Sequence, residues 1–84
     1  MSKITWKQKA IDFLEKLPEN ESERIVKKVD SEIKFNVLHY LEHLENMPYK
    51  KIRIGNYRLF VEYDISKDEL IIYLIKQRKN AYKD

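Results

Sequence analysis

The sequence predicts a small α+β domain in which a helical hairpin packs on a mainly antiparallel sheet. Three observations lead to this fold class. Apolar residues recur at helical spacing in the first half of the chain. The dipeptide Gly55-Asn56 separates two alternating runs, as the loop of a tight β-hairpin does. An apolar, β-branched run at 70–75 is typical of a buried strand. The resulting order is β-α-α-β-β-β, with the helices on one face of the sheet.

The helical half begins with a short strand at 3–6 and continues into two amphipathic helices. Pro18 ends the first helix or opens the next connection. Asn20 with Glu23 resembles a capping pair at the start of the second helix. A further short helix is expected within 35–47, either continuing the second helix or following a break near Asn36. The apolar positions that support these helices are Ala10, Ile11, Phe13, Leu14 and Leu17, then Ile25, Val26, Val29 and Ile33, and then Val37, Leu38, Leu41 and Leu44.

The strand half is predicted as a hairpin at 49–54 and 57–63 followed by a polar turn and a central strand. If Gly55 and Asn56 form the loop, Arg53 lies directly opposite Arg58. Like charges at this spacing destabilise a sheet, so a chain that carries them is expected to use them on a polyanion such as RNA. The expected pairs are Ile54 with Tyr57, Arg53 with Arg58, Ile52 with Leu59, and Lys51 with Phe60. One face is then apolar (Ile52, Ile54, Tyr57, Leu59 and Val61), and the other carries Lys51, Arg53, Arg58 and Phe60.

Length and composition bound the class of protein. The chain has 84 residues, which allows one domain at 1–84 with a single core. It contains no cysteine, so neither disulfides nor a thiolate metal site is expected. The formal net charge is +3; residues 1–45 carry eight Lys/Arg and nine Asp/Glu, whereas residues 46–84 carry nine and five. The positive charge is therefore concentrated in the strand half, as in a nucleic-acid footprint. With neither a signal-peptide pattern nor a long apolar run, we expect a cytoplasmic protein without membrane contact.

The cationic face suggests RNA chemistry without a metal or cofactor. Cleavage by attack of the 2′-OH requires a proton acceptor, a group that stabilises the charged phosphorane, and a proton donor for the leaving oxygen. A cluster of lysines and arginines can serve where mutual repulsion eases proton loss, and guanidinium groups bind phosphate oxygens in pairs. The alternative is a basic face that binds RNA or a protein partner without catalysis. The residues alone favour neither.

A family resemblance favours catalysis. The stretch from Tyr49 to Glu62, with its basic residues, Gly-Asn-Tyr-Arg and hydrophobic strand, resembles the signature of the RelE/ParE toxin superfamily, most of all archaeal RelE-type toxins. The end, Arg78-Lys79-Asn80-Ala81-Tyr82, is similar to the closing motif of that family. The resemblance implies the microbial RNase-like RelE fold and a type II toxin. Such a toxin enters the ribosomal A site, cuts mRNA to a 2′,3′-cyclic phosphate, and is neutralised by a RelB-like antitoxin in a hetero-oligomer.

The resemblance also implies roles for five residues. Lys51 matches a basic residue implicated in proton transfer and phosphate binding, and Arg53 matches a second basic position. Arg58 matches the arginine that contacts the scissile phosphate. Arg78 matches the arginine proposed to stabilise or protonate the leaving group, and Tyr82 matches the tyrosine that orients the substrate base. Many relatives carry Gly-His or Gly-Lys before the final arginine, where this chain has Lys76-Gln77, so no imidazole acid is available there. Further RNA contacts are predicted at Lys50, Lys76, Lys79 and Lys83.

Two other functions stay open. A ParE-like relative would inhibit DNA gyrase and cleave nothing, and an inactive relative would bind RNA or an antitoxin only.

His39 and His43 could share a helix face and bind zinc, but no third ligand is evident, so surface histidines are expected. Glu62 is expected to brace Arg58 or another basic side chain.

Overall fold

The computed structural model describes residues 1–44 and 48–77, and within them five strands form one mixed sheet. The sheet order is β1-β5-β4-β3-β2, with β1 parallel to β5 and every other pair antiparallel. This confirms the α+β class with a mainly antiparallel sheet. The strands are β1 (Lys3–Trp6), β2 (Glu42–His43), β3 (Lys50–Ile54), β4 (Tyr57–Asp64) and β5 (Glu69–Gln77); the helices are α1 (Gln8–Lys16), α2 (Glu19–Ser31) and α3 (Val37–Tyr40), with a 3-10 turn at Ile33–Phe35.

The core lies between the helices and one face of the sheet. From the helical side it receives Ala10, Ile25 and Val29, and the strands supply their inward-facing apolar residues. Leu59 and Ile72 at the centre of the sheet have no exposed surface. The predicted apolar face of the hairpin is confirmed, since all five of its members are buried: Ile52, Ile54, Tyr57, Leu59 and Val61.

The start of α2 differs from the sequence prediction. The helix begins at Glu19 with Pro18 as its N-cap and without a side-chain cap, so the expected Asn20–Glu23 pair is wrong. Proline suits this position because it lacks the N–H that would be left unpaired. Instead, the Ser22 hydroxyl donates a hydrogen bond to the carbonyl oxygen of Leu14 and ties α2 to α1.

The segment after α2 also differs from the prediction. Helix α3 covers four residues, and the backbone is extended again at Leu41 (φ −74°, ψ 133°). The next two residues form β2, which pairs with Lys51 and Lys50 along the outer edge of the hairpin. His39 therefore lies in a helix and His43 in a strand, so they do not share a helix face.

The hairpin has the predicted register. All four predicted cross-strand pairs are present, from Ile54 with Tyr57 to Lys51 with Phe60. Gly55 has a positive φ of 56°, whereas Asn56 does not. A positive φ at the first loop residue alone is the pattern of a type II′ turn, which needs glycine there and suits the twist of the strands.

Strand β5 contains a β-bulge that the apolar run did not reveal. Its pairing with β4 shifts between Phe60, which lies opposite Leu74, and Val61, which lies opposite Ile72. Tyr73 has no partner, so it is the extra residue of the bulge. The buried residues of β5 are consequently even-numbered before the bulge (Leu70 and Ile72) and odd-numbered after it (Ile75). Within the apolar run 70–75, the residues on this face are buried and those on the other face are half-buried, so the run is not buried on both faces.

Candidate nucleic-acid interface

Three cations form a row across β3, β4 and β5 on the sheet face away from the core. Arg53 lies opposite Arg58, and Arg58 lies opposite Lys76. Without the bulge at Tyr73, Ile75 would take the position opposite Arg58. Within residues 1–44 and 48–77, no carboxylate lies within ion-pair distance of these three side chains. We call Arg53, Arg58 and Lys76 the cationic row.

Arg58 lies at the centre of the row, in surroundings that are energetically unfavourable for its charged side chain. Its side chain is half-buried, and its Nε is buried without a hydrogen-bond partner among the described residues. A buried donor without a partner costs about 1–3 kcal/mol, and the two neighbouring cations add repulsion. A phosphate group would remove both penalties, because a guanidinium binds two of its oxygens at once.

Lys51 lies next to the row and is held by a carboxylate that the sequence did not predict. Its Nζ is 3.6 Å from Oε1 of Glu42 on β2, and the two side chains are 13% and 47% exposed. A carboxylate at this place can accept a proton from a hydroxyl. Sequence reasoning missed Glu42 because the segment was assigned to a helix, and no local pattern signals a two-residue edge strand.

The structure does not bring every predicted residue together. Lys50 has the same alternation as Ile52 and Ile54 and lies opposite Val61, so it belongs to the helix-packed side of the sheet. Lys76 joins the cationic row. The four remaining predicted positions lie outside the described residues: Arg78, Lys79, Tyr82 and Lys83.

Among the described residues, Glu62 forms no ion pair with a cation. The hydroxyl of Tyr73 donates a hydrogen bond to its Oε1 at 2.6 Å, and this bond raises the pKa of Tyr73 above its usual value. The carboxylate is thus kept beside the bulge, away from the cationic row. The expectation that Glu62 supports Arg58 is wrong.

The loop of the hairpin is fixed to α2 by Tyr57. Its ring is buried and packs edge-on against Phe13, and its hydroxyl donates to Oε1 of Glu21 at 3.1 Å. Glu21 also receives a hydrogen bond from Arg24 at 3.1 Å. Since Tyr57 directly precedes Arg58, this contact fixes the backbone that presents the cationic row.

The described residues contain neither a metal-ligand cluster nor a membrane-spanning helix. Among them, no three His, Cys, Asp or Glu side chains are grouped as a metal site would require. No described helix is long and apolar enough to cross a bilayer.

Comparison with solved structures identifies the fold. The toxin–antitoxin complex RelBE2 of Mycobacterium tuberculosis contains a chain that superposes with a TM-score of 0.81 at 20% identity, over 92% of this chain and 91% of that one. The archaeal RelE–RelB complex of Pyrococcus horikoshii gives 0.76 at 17% identity, over 92% and 94%. The intact RelBE complex of Escherichia coli gives 0.72 at 20% identity, over 92% and 96%.

These comparisons confirm the predicted resemblance at the level of the fold. The chain has the fold of RelE toxins over 92% of its length. No protein-family model and no curated protein matches the sequence.

Proposed function

We propose that this protein is the toxin of a type II toxin–antitoxin pair and cuts mRNA in the ribosomal A site. The observation that carries the proposal is the cationic row, in which a half-buried arginine lies between two cations on a RelE fold. Such an arrangement disfavours folding and favours an anion, so a binding role explains why the chain has it. The RelE-like structures named above are complexes with antitoxins, which supports a RelB-like partner for this chain.

The row and its neighbours can divide the work of 2′-OH attack. Arg58 would bind the scissile phosphate and stabilise the phosphorane, with Arg53 and Lys76 adding positive potential. Glu42, held beside Lys51, would accept the 2′ proton, and Lys51 would remain close to the phosphate as a cation. Arg78 and Tyr82 are proposed, from the resemblance alone, to serve the leaving oxygen and to stack on a base.

The test is primer extension on a defined mRNA in programmed ribosomes. The protein should produce a cut within the A-site codon, and Arg58→Ala should reduce the cleavage rate at least roughly 100-fold. Lys27→Ala is the matched control, because this exposed lysine lies on α2 and away from the row. An intact message with folded protein would contradict the proposal and favour gyrase inhibition or binding without cleavage.

The assignment of Glu42 has its own variant. Glu42→Gln removes the proton acceptor but keeps the size of the side chain, so we expect cleavage to slow by about 10²–10⁴-fold. Ribosome binding, measured by co-sedimentation, should be unchanged. Cleavage at the rate of the unaltered protein would show that another group accepts the proton.

A further inference from the structure

A groove of about 540 Å³ lies beside the cationic row. Four apolar or aromatic side chains line it, and Lys76 belongs to both the groove and the row. Three more lining residues come from the N-cap and the first turn of α1. The full lining among the described residues is Lys7, Gln8, Lys9, Tyr49, Phe60, Tyr73, Leu74 and Lys76.

The bulge builds the floor of this groove. In a regular strand Tyr73 and Leu74 would lie on opposite faces, but the extra residue puts both on the outer face. Leu74 is then opposite Phe60, and the Tyr73 ring meets Tyr49 edge-on with 5.5 Å between ring centroids. Tyr49 is 36% exposed, so part of an aromatic surface remains open to a ligand.

The charged side chains that line the groove are cations. Lys7, Lys9 and Lys76 line it, and none of the carboxylates that the structure describes does. Acidic groups lie close by: Glu62 accepts a hydrogen bond from Tyr73, and Asp12 accepts one from Gln8. A phosphate can therefore bind at the lysines, whereas a flat uncharged ring fits the aromatic side chains.

We propose that this groove binds one nucleobase of single-stranded RNA, next to the phosphate held by the cationic row. The inference rests on the proposed function and adds a second nucleotide subsite to it. Lys76 links the two subsites, because it lies opposite Arg58 and lines the groove. The base stacks on Tyr49 and Tyr73, and the lysines bind the adjoining phosphate.

The test compares two variants with a matched control. Tyr49→Ala and Tyr73→Ala each remove an aromatic ring from the groove, whereas Phe35→Leu removes an exposed ring outside it. The probe is a fluorescein-labelled, 2′-O-methylated hexaadenylate, measured by fluorescence anisotropy with the full chain. We expect both alanine variants to bind roughly 5- to 100-fold more weakly and Phe35→Leu to bind within about 2-fold of the unaltered protein.

The same proteins are then compared for A-site cleavage, which decides the matter if free RNA binds too weakly to measure. Alanine variants that equal the unaltered protein in both assays, while Arg58→Ala is impaired, would overturn the groove and leave the proposed function standing. An unaltered protein that neither binds RNA nor cleaves would overturn both. Circular dichroism melting confirms that each variant is folded, and Tyr49→Ala keeps the test valid if Tyr73→Ala unfolds.

Discussion

Arg58 illustrates how a functional residue opposes the fold that carries it. It lies between Arg53 and Lys76, and its buried Nε lacks a partner among the described residues. Replacement by methionine keeps much of the volume and removes both penalties. We therefore expect Arg58→Met to raise the free energy of unfolding by about 1 kcal/mol while abolishing cleavage.

Urea denaturation measures this change, with Arg24→Met as the matched control. Arg24 is an exposed arginine that bonds to Glu21, so its replacement should leave stability unchanged or lower it slightly. A lower unfolding free energy for Arg58→Met would show that Arg58 stabilises the sheet. The idea that the row is kept for an anion would then lose its support.

Tyr57 makes stability depend on pH at the alkaline end. Burial raises the pKa of its hydroxyl above the usual value of about 10, and the hydrogen bond to Glu21 raises it further. The folded protein thus keeps a proton that the unfolded chain loses. The contribution is fully present below pH 10 and is lost as pH rises through the higher pKa of the folded state.

We expect the unfolding free energy to fall between pH 8 and pH 11, and to fall less in Tyr57→Phe. This variant should also be about 1 kcal/mol less stable at pH 8, because the bond to Glu21 is lost. Part of the fall will remain, since hydrogen bonds also raise the pKa of Tyr63 and Tyr73. Equal pH dependence in both proteins, measured by urea denaturation, would contradict this role of Tyr57.

At the scale of the elements, the sequence predicted the hairpin together with its strand register. It did not predict the neighbouring strand β2 or the bulge in β5. Gly55-Asn56 and strict alternation leave one pairing that buries a complete apolar face, so local sequence sufficed. Strand β2 is two residues long and forms only because β3 offers a free edge. The bulge is equally non-local, because a run of six apolar residues fits either face and only pairing with β4 selects Tyr73 as the extra residue. Glu42 and the groove both depend on these two features and were missed with them.

Deletion of Tyr73 tests whether the bulge serves the groove rather than the fold. Without this residue Leu74 can stay opposite Phe60 and Ile72 opposite Val61, so both parts of the ladder keep their register. We expect a folded protein with an unfolding free energy within about 1–2 kcal/mol of the unaltered chain and with weakened RNA binding. Deletion of Ile71 is the control, because it forces Tyr73 into the buried position of Ile72 or shifts the pairing with β1. If deletion of Tyr73 unfolds the protein as Ile71 deletion does, the bulge is needed for folding.

At the scale of the whole molecule, charge is arranged by the sheet and not by the sequence order alone. The net charge of +3 is small, and the excess of cations in the second half of the chain predicted a footprint without locating it. The sheet assembles the row from three strands, and Lys7 and Lys9 from the helical half extend the positive surface beyond it. Lys50, adjacent in sequence to Lys51, is placed on the other side. A cationic surface predicted from the sequence alone therefore includes Lys50, which the fold places on the opposite face. It omits Lys7 and Lys9, which the fold adds.

This arrangement predicts how salt affects RNA binding. We assume that Arg53, Arg58 and Lys76 each neutralise one phosphate. A plot of the logarithm of the affinity for single-stranded RNA against the logarithm of the salt concentration should then have a slope of about −2. Between 50 and 200 mM salt, the affinity for the hexaadenylate probe should then drop roughly 20-fold. Arg53→Gln should reduce the slope to about −1.4, because one phosphate contact is lost, whereas Lys27→Gln on α2 should leave it unchanged. Equal slopes for Arg53→Gln and Lys27→Gln would mean that the three cations do not bind the phosphates together. The cationic row would then not be the main RNA-binding surface.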